Sequence, residues 1–210
     1  MNRRIVLIGF SATGKSAVGR RLAERLGWRF LDTDQEIVKR SGKTIAEIFH
    51  GDGEDVFRDY ERKLLEEAGR RQGIVVAAGG GAVLVDRMRA LMQKRFFIVC
   101  LEARPEILFQ RLLKDKEAGG NPVADLLTRG DEPVDRISYL KEFRQPYYAV
   151  ADWTVHTDFL GPDDVVEEIM HGWTFYAKAQ ENPGGPTAQR PSRYPLGDAR
   201  ETDAPYTSGA

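Results

Sequence analysis

The sequence predicts an α/β protein with a central parallel five-stranded sheet flanked by helices on both faces. Three observations carry this. Apolar runs such as "RIVLIGF", "GIVVAAGGG" and "RFFIVCLEA" show no polar alternation, as expected for strands buried on both sides. Amphipathic helical stretches separate them, which implies βαβ units. Several runs end in glycines or carboxylates, at the sheet edge where open α/β sheets bind ligands.

The elements follow in order. "RIVLIGF" is the first strand. "SAVGRRLAERLG" places Val18, Leu22 and Leu26 on one helical face and ends at Gly27, a stop signal. "WRFLDTD" gives a short second strand ending in Asp32 and Asp34. "TIAEIF" opens with Thr44 and has Glu47 three residues later, the pattern of a capping box. A longer helix is expected over about 55–71. "GIVVAAGGG" is the third strand and runs into Gly79, Gly80 and Gly81. "RFFIVCLEA" is the fourth, followed by the helix "PEILFQRLLK" with Pro105 near its first turn. "PVDRISYLKEFRQPYYAVA" reads as mostly helical, "DWTVHT" as the fifth strand and "GPDDVVEEIMHGW" as a last helix. The stretch from 180 onward holds five of the ten prolines and almost no aliphatic residues. Such a stretch buries too little apolar surface to order itself, so a folded domain over 1–176 and a disordered tail or linker over 177–210 are expected.

At 210 residues the chain suits one domain with a tail. Lys+Arg number 31 and Asp+Glu 32, a formal net charge of −1, which argues against holding nucleic acid by bulk electrostatics. An anionic ligand then needs locally placed cations. No apolar run of membrane-spanning length and no secretory leader pattern is present, so a cytoplasmic location without membrane contact is expected. The lone cysteine, Cys100, falls in an apolar run and reads as a buried, inert thiol. His156, in the last strand, reads as a packing or adenine-side residue rather than a metal ligand.

"GFSATGKS", residues 9–16, matches G-x-x-x-x-G-K-[ST] between a strand and a helix, where a phosphate-binding P-loop must sit. Backbone N–H groups around Ala12, Thr13, Gly14 and Ala17 would face bound phosphates. Lys15 would meet the β- and γ-phosphates, and the Ser16 hydroxyl would meet Mg²⁺. ATP and Mg²⁺ are the implied cofactors, in a P-loop kinase fold. The Asn-Lys-x-Asp motif of a guanine-nucleotide switch does not occur, and "RFFIVCLE" ends in Glu102 where large ATPases place an aspartate. A small-molecule kinase remains, with its acceptor site across the sheet edge from the P-loop. In "LDTD", one carboxylate could hold a metal-bound water while the other orients or deprotonates the acceptor hydroxyl; alternatively one of them caps the next helix. In "DGEDVFRDYE", Arg58 and Glu61 share a helix face, as an orienting ion pair or a surface pair. The triple glycine lets a ligand approach the backbone, or is a flexible turn.

Taken together, "GFSATGKS", "LDTD", "DGEDVFRDYE", "AAGGGAV" and "FRQPYYAVAD", in this order and spacing, resemble shikimate kinase over roughly residues 3–170. The resemblance implies ATP-dependent phosphorylation of the 3-hydroxyl of shikimate, a step of aromatic amino acid biosynthesis, by an enzyme expected to be a monomer. It implies catalytic roles for Lys15 and Asp34. Arg58 and Arg144 would grip the shikimate carboxylate, and Gly80, with its neighbours Gly79 and Gly81, would offer backbone N–H groups to the substrate. Asp32 and Ser16 would hold the Mg²⁺ shell. Arg111 would lie against adenine, with "HTDFLGP" on the other side of the ring.

The sequence departs from the family pattern in one place. The family lid, expected here at about 114–132, carries an arginine directly before a proline. Pro122 is present, but Asn121 precedes it, and a shifted alignment puts Asp125 there. Lys114, Lys116 or Arg129 could supply the cation, with Arg129 beside the hinge residue Gly130 preferred. Otherwise the enzyme is slow, acts on another small polyol or sugar acid as gluconate-type kinases do, or binds nucleotide with little catalysis.

Overall fold

The computed structural model describes residues 3–118, 124 and 127–181. Five strands form one parallel sheet: β1 Arg4–Ile8, β2 Arg29–Asp32, β3 Ile74–Ala77, β4 Phe97–Glu102 and β5 Trp153–His156, in the order β2-β3-β1-β4-β5. β1 lies between β3 and β4, with Leu7 opposite both Ala77 and Val99. The C-terminal ends of all five strands therefore share one edge, and the loops leaving that edge hold the residues singled out in the sequence.

Alternate residues of the central strands feed two different cores. Val6 and Ile8, with Val76, Ile98 and Cys100, pack beneath α4 Glu54–Gly69 and α5 Asp86–Arg95 through Leu65, Ala68, Met88 and Met92. Ile5 and Leu7, with Val75, Val99 and Leu101, pack on the other face against α1 Lys15–Leu26 and the C-terminal helix. Continuous apolarity in the sequence thus reflects burial on both faces. The remaining helices are α2 Thr33–Ser41, the short α3 Ile45–Glu47 running into a π-helical turn Ile48–Asp52, α6 Pro105–Glu117, α7 Pro133–Tyr148 and α8 Pro162–Glu181.

The local signals worked as their chemistry requires. Gly27 closes α1 in the left-handed region, and Thr44 and Glu47 form the expected capping box. Pro105 occupies the first turn of α6, where its missing N–H costs nothing. The long helix begins at Glu54 and ends at Gly69, close to the expected limits. α5 carried little periodic signal, because Arg87, Arg89, Lys94 and Arg95 surround the two buried methionines. α8 continues beyond 176 to Glu181, and Ala177 is buried. The tail was expected over 177–210; its residues 182–210 lie outside the described residues.

A third cluster roofs the P-loop: Phe10, Ala103, Leu108, Leu112, Ala124, Leu127 and Ile137. Ala124 and Leu127 come from the interval expected to be a lid, so that interval is tied down at least there. The Thr128 hydroxyl donates to the Ala124 carbonyl at 2.8 Å, and Arg136 donates to the Arg129 carbonyl at 2.6 Å. Asn121, Pro122 and Asp125 lie outside the described residues. Cys100 is fully buried, and burial pushes its thiol up to about 12, which keeps it inert at neutral pH. Among the described residues, no helix is long and apolar enough to cross a membrane.

Candidate active site

The P-loop joins β1 to α1. Gly9 has φ +138°, and a Cβ there would clash with the Leu101 carbonyl oxygen, so only glycine lets the chain leave β1 this close to β4. Gly14 precedes α1 at φ +94°. No side chain caps the N-terminus of α1 and no acid occupies its first turn. Its orphan N–H groups and positive dipole end therefore remain available to an anion. The buried Thr13 hydroxyl donates to Phe10 O at 2.9 Å, and Lys15 Nζ donates to Gly9 O and Phe10 O at 2.9 and 2.8 Å. Burial pulls the Lys15 ammonium down to about 8, against the opposing pull of Asp34, Cys100 and Asp32. A cation this poorly solvated gains much from a phosphate.

Arg111 reaches from α6 to the P-loop and to the segment after β5. It donates to Thr157 Oγ1 at 2.9 Å and Thr157 O at 2.5 Å, and to Ala12 O at 3.4 Å. One guanidinium therefore joins the P-loop to the segment after β5.

Asp32 caps α2: its Oδ1 accepts from Asp34 N at 3.1 Å and Gln35 N at 3.2 Å. The capping reading of "LDTD" therefore holds for this carboxylate, and its remaining lone pairs stay available for a water or metal shell. Asp34 follows in the first turn of α2. Its Oδ1 is buried without a hydrogen-bond partner. Burial, with Asp32 nearby, raises its pKa above the usual carboxylate value, against the pull of Lys15 and Arg58.

Arg58 and Glu61 form a buried pair rather than a surface one. Arg58 Nη1 meets Glu61 Oε2 at 2.7 Å, with the Glu61 side chain only 1% exposed. Arg58 Nη2 also meets Glu54 Oε1 at 2.7 Å. Burial works against the Arg58 charge, but the two carboxylates outweigh it and hold the guanidinium pKa above its usual value. Glu61 Oε1 is buried with no partner, and desolvation pushes its carboxyl up to about 7 despite Arg58.

The glycine loop after β3 draws these groups together. A Cβ on Gly79 would clash with Glu61 Oε1 and lie 2.8 Å from Asp34 Oδ1. One on Gly81 would lie 2.7 Å from Arg58 Nη2. Arg144 Nη1 donates to Gly80 O at 3.4 Å, and the guanidinium carbon lies 5.0 Å from the centroid of the Phe10 ring. Arg58, Arg144, Asp34 and the Gly79–81 backbone thus surround one region beside Ser11 of the P-loop, whose Oγ would be 3.5 Å from a Gly80 Cβ. Among the described residues no carboxylate forms an ion pair with Arg144.

Several contributors were not in the expected set. Glu61 was readable as the partner of Arg58, but its burial was not. Thr33, between the two acids, is buried and reaches the glycine loop. Phe10 supplies the floor beneath Arg144, and nothing in a P-loop pattern marks that position. Tyr148, one turn after Arg144, is buried, and burial raises its phenol pKa against the pull of Arg144. His156 is exposed at the end of β5.

Known proteins resemble this chain over most of its length. A family model for shikimate kinase matches residues 11–173. The shikimate kinase of Pelotomaculum thermopropionicum is 41% identical over 169 residues, covering 80% of this chain and 94% of the relative. That of Thermoanaerobacter pseudethanolicus is 35% identical over 171 residues, 81% of this chain and 96% of the relative. The solved shikimate kinase from Acinetobacter baumannii in complex with shikimate superposes with a TM-score of 0.73 at 34% identity, covering 84% of this chain and 94% of that one. A gluconokinase from Sinorhizobium meliloti 1021 reaches a TM-score of 0.52 at 20% identity, which shows a shared fold alone. With most of its length matched by the family model and by relatives above 30% identity, the chain belongs to the shikimate kinase family.

Proposed function

We propose that this chain transfers the γ-phosphoryl group of ATP to the 3-hydroxyl of shikimate. The observation that carries the reading is the convergence of Arg58, Arg144, Asp34 and the Gly79–81 backbone beside the P-loop. Arg144 and Arg58 take the substrate carboxylate; a planar guanidinium matches a carboxylate with two parallel hydrogen bonds. Asp34 accepts the proton of the attacking hydroxyl. Burial raises its pKa, which makes it a stronger base than an exposed aspartate, while Lys15 and Arg58 favour its charged form. The hydroxyl oxygen forms its bond to phosphorus as the bond from phosphorus to the ADP oxygen breaks. Lys15 and the α1 amides balance the charge on the phosphoryl oxygens.

The residues also fit Mg²⁺. Among the described residues no three His, Cys, Asp or Glu side chains cluster as a metal cage. Mg²⁺ bound to a nucleotide needs none, since it keeps waters and takes few protein oxygens. Ser16 Oγ and the uncapped lone pairs of Asp32 are hard oxygen donors of that kind. When bound, the ion would offset the negative charge of the phosphates. Every residue named here comes from one chain, which supports a monomeric enzyme, and the use of ATP supports a cytoplasmic location.

Lys15→Ala tests the assignment. Turnover should collapse while shikimate binding, measured by titration calorimetry, persists. Undiminished turnover removes the P-loop from the mechanism.

A further inference from the structure

The Gly79–81 loop was expected to present its amides to the substrate, but the structure divides the work among the three glycines. Both backbone groups of Gly79 are already used. Its N–H donates to Thr33 Oγ1 at 2.9 Å, and its carbonyl accepts from Ala82 N at 3.1 Å. The Thr33 hydroxyl in turn donates to Ala77 O at 3.3 Å. Thr33 is 1% exposed, so water does not compete for these bonds. A hydroxyl has one proton to give, and here it goes to the end of β3 while an oxygen lone pair takes the Gly79 amide.

Thr33 lies between Asp32, which caps α2, and Asp34, which faces the site. Its hydroxyl therefore ties the strand end carrying both acids to the loop carrying the glycines, across 46 residues of sequence. Gly79 cannot shift toward the acids, because its α-carbon already packs against Glu61 Oε1 and Asp34 Oδ1 closely enough to exclude a methyl group. Pinned from one side and blocked from the other, Gly79 fixes where Gly80 and Gly81 leave β3. Those two residues meet Arg144 and Arg58.

We propose that Thr33 is a positioning residue for the acceptor site: its hydroxyl holds Gly79 as a spacer, leaving the Gly80 and Gly81 amides to face the substrate at a fixed distance from Asp34. This rests on the reading of the site as the shikimate pocket. The nucleotide half of the site, built on β1, α1 and α6, does not depend on the bond.

The test compares Thr33→Val, which keeps the shape and removes the hydroxyl, with Thr33→Ser, which keeps the hydroxyl. Leaving a buried amide without an acceptor should raise the shikimate KM of the valine variant roughly ten-fold, with the ATP KM changed by less than about two-fold. The serine variant should stay close to wild type in both. A general loss of folding would move both KM values or only the melting temperature. If the valine variant does not fold, Thr33→Ala takes its place, and the alanine–serine contrast must show the same split. Unchanged shikimate KM, or equal rises for both substrates, overturns the inference. Wild-type protein in the same assay separates the two claims. If it does not phosphorylate shikimate the functional reading fails; if it does and the split is missing, only the role of Thr33 fails.

Discussion

Arg144 and Arg58 are expected to grip the same carboxylate, but the structure gives them different energetic situations, and truncating each should separate binding from stability. Arg58 is already paired with Glu61 and Glu54 at 2.7 Å each. Arg144 rests on the Phe10 ring and donates a long 3.4 Å bond to Gly80 O, with no carboxylate partner among the described residues. The substrate carboxylate therefore completes Arg144 more than Arg58. Removing one partner of a desolvated charge pair costs about 2–5 kcal/mol, and Arg144 is only partly buried, so the lower half of that range applies to Arg144→Ala. At about 1.4 kcal/mol per factor of ten, this is a loss of shikimate affinity of roughly 30- to 300-fold. Its melting temperature should hardly fall, because no protein charge loses its partner. Arg58→Ala should weaken binding less, but it strands Glu61 in the core. Breaking a buried ion pair costs about 3–5 kcal/mol, limited here because the Glu61 carboxyl can take a proton near pH 7. Titration calorimetry with shikimate and thermal melts of both variants measure the two effects. An affinity loss for Arg58→Ala equal to that for Arg144→Ala, or a larger melting-point drop for Arg144→Ala, would refute the reasoning.

Two further outcomes follow from the same geometry. The Glu61 carboxyl is raised from 4.5 unfolded to about 7 folded, so the folded state holds the extra proton between those values. Stability from this group is therefore full below pH 4.5 and is lost as pH rises through 7. Melting curves of wild type minus Glu61→Gln should show that difference falling across the window and levelling above it; a difference that grows with pH contradicts the assignment. For the lid, Arg129→Ala should slow single-turnover phosphoryl transfer more than Lys116→Ala does, by at least about ten-fold if Arg129 delivers charge to the transition state. If neither variant changes the rate, neither side chain replaces the family arginine.

The sheet, its parallel character and the P-loop were legible because each rests on local chemistry. Double-sided burial leaves continuous apolar strands, and phosphate binding fixes the glycines and Lys15 within eight consecutive positions of the chain. The clustering of "LDTD", "RDYE" and "GGG" was legible as a pattern of strand ends. What it meant energetically was not. Sequence spacing left Arg58–Glu61 between a surface pair and a buried one, because burial depends on the glycine loop arriving from β3. Asp32 illustrates a different limit: a carboxylate before a helix is a capping signal and a metal-shell signal at once, and its two oxygens allow both. Thr33 carried no signal of its own, since its partners Gly79 and Ala77 are distant in sequence. The lid gave a clear departure at Asn121, but not which cation stands nearest the phosphoryl group, because that depends on how residues around Gly130 close.

The most direct test of the account is phosphoryl transfer itself, followed by ³¹P NMR with ATP, Mg²⁺ and either shikimate or gluconate. The account predicts ADP formation that depends on shikimate, with a new phosphomonoester on its 3-hydroxyl and no comparable product from gluconate. Faster turnover of gluconate, or binding of shikimate without any phosphoryl transfer, would contradict it.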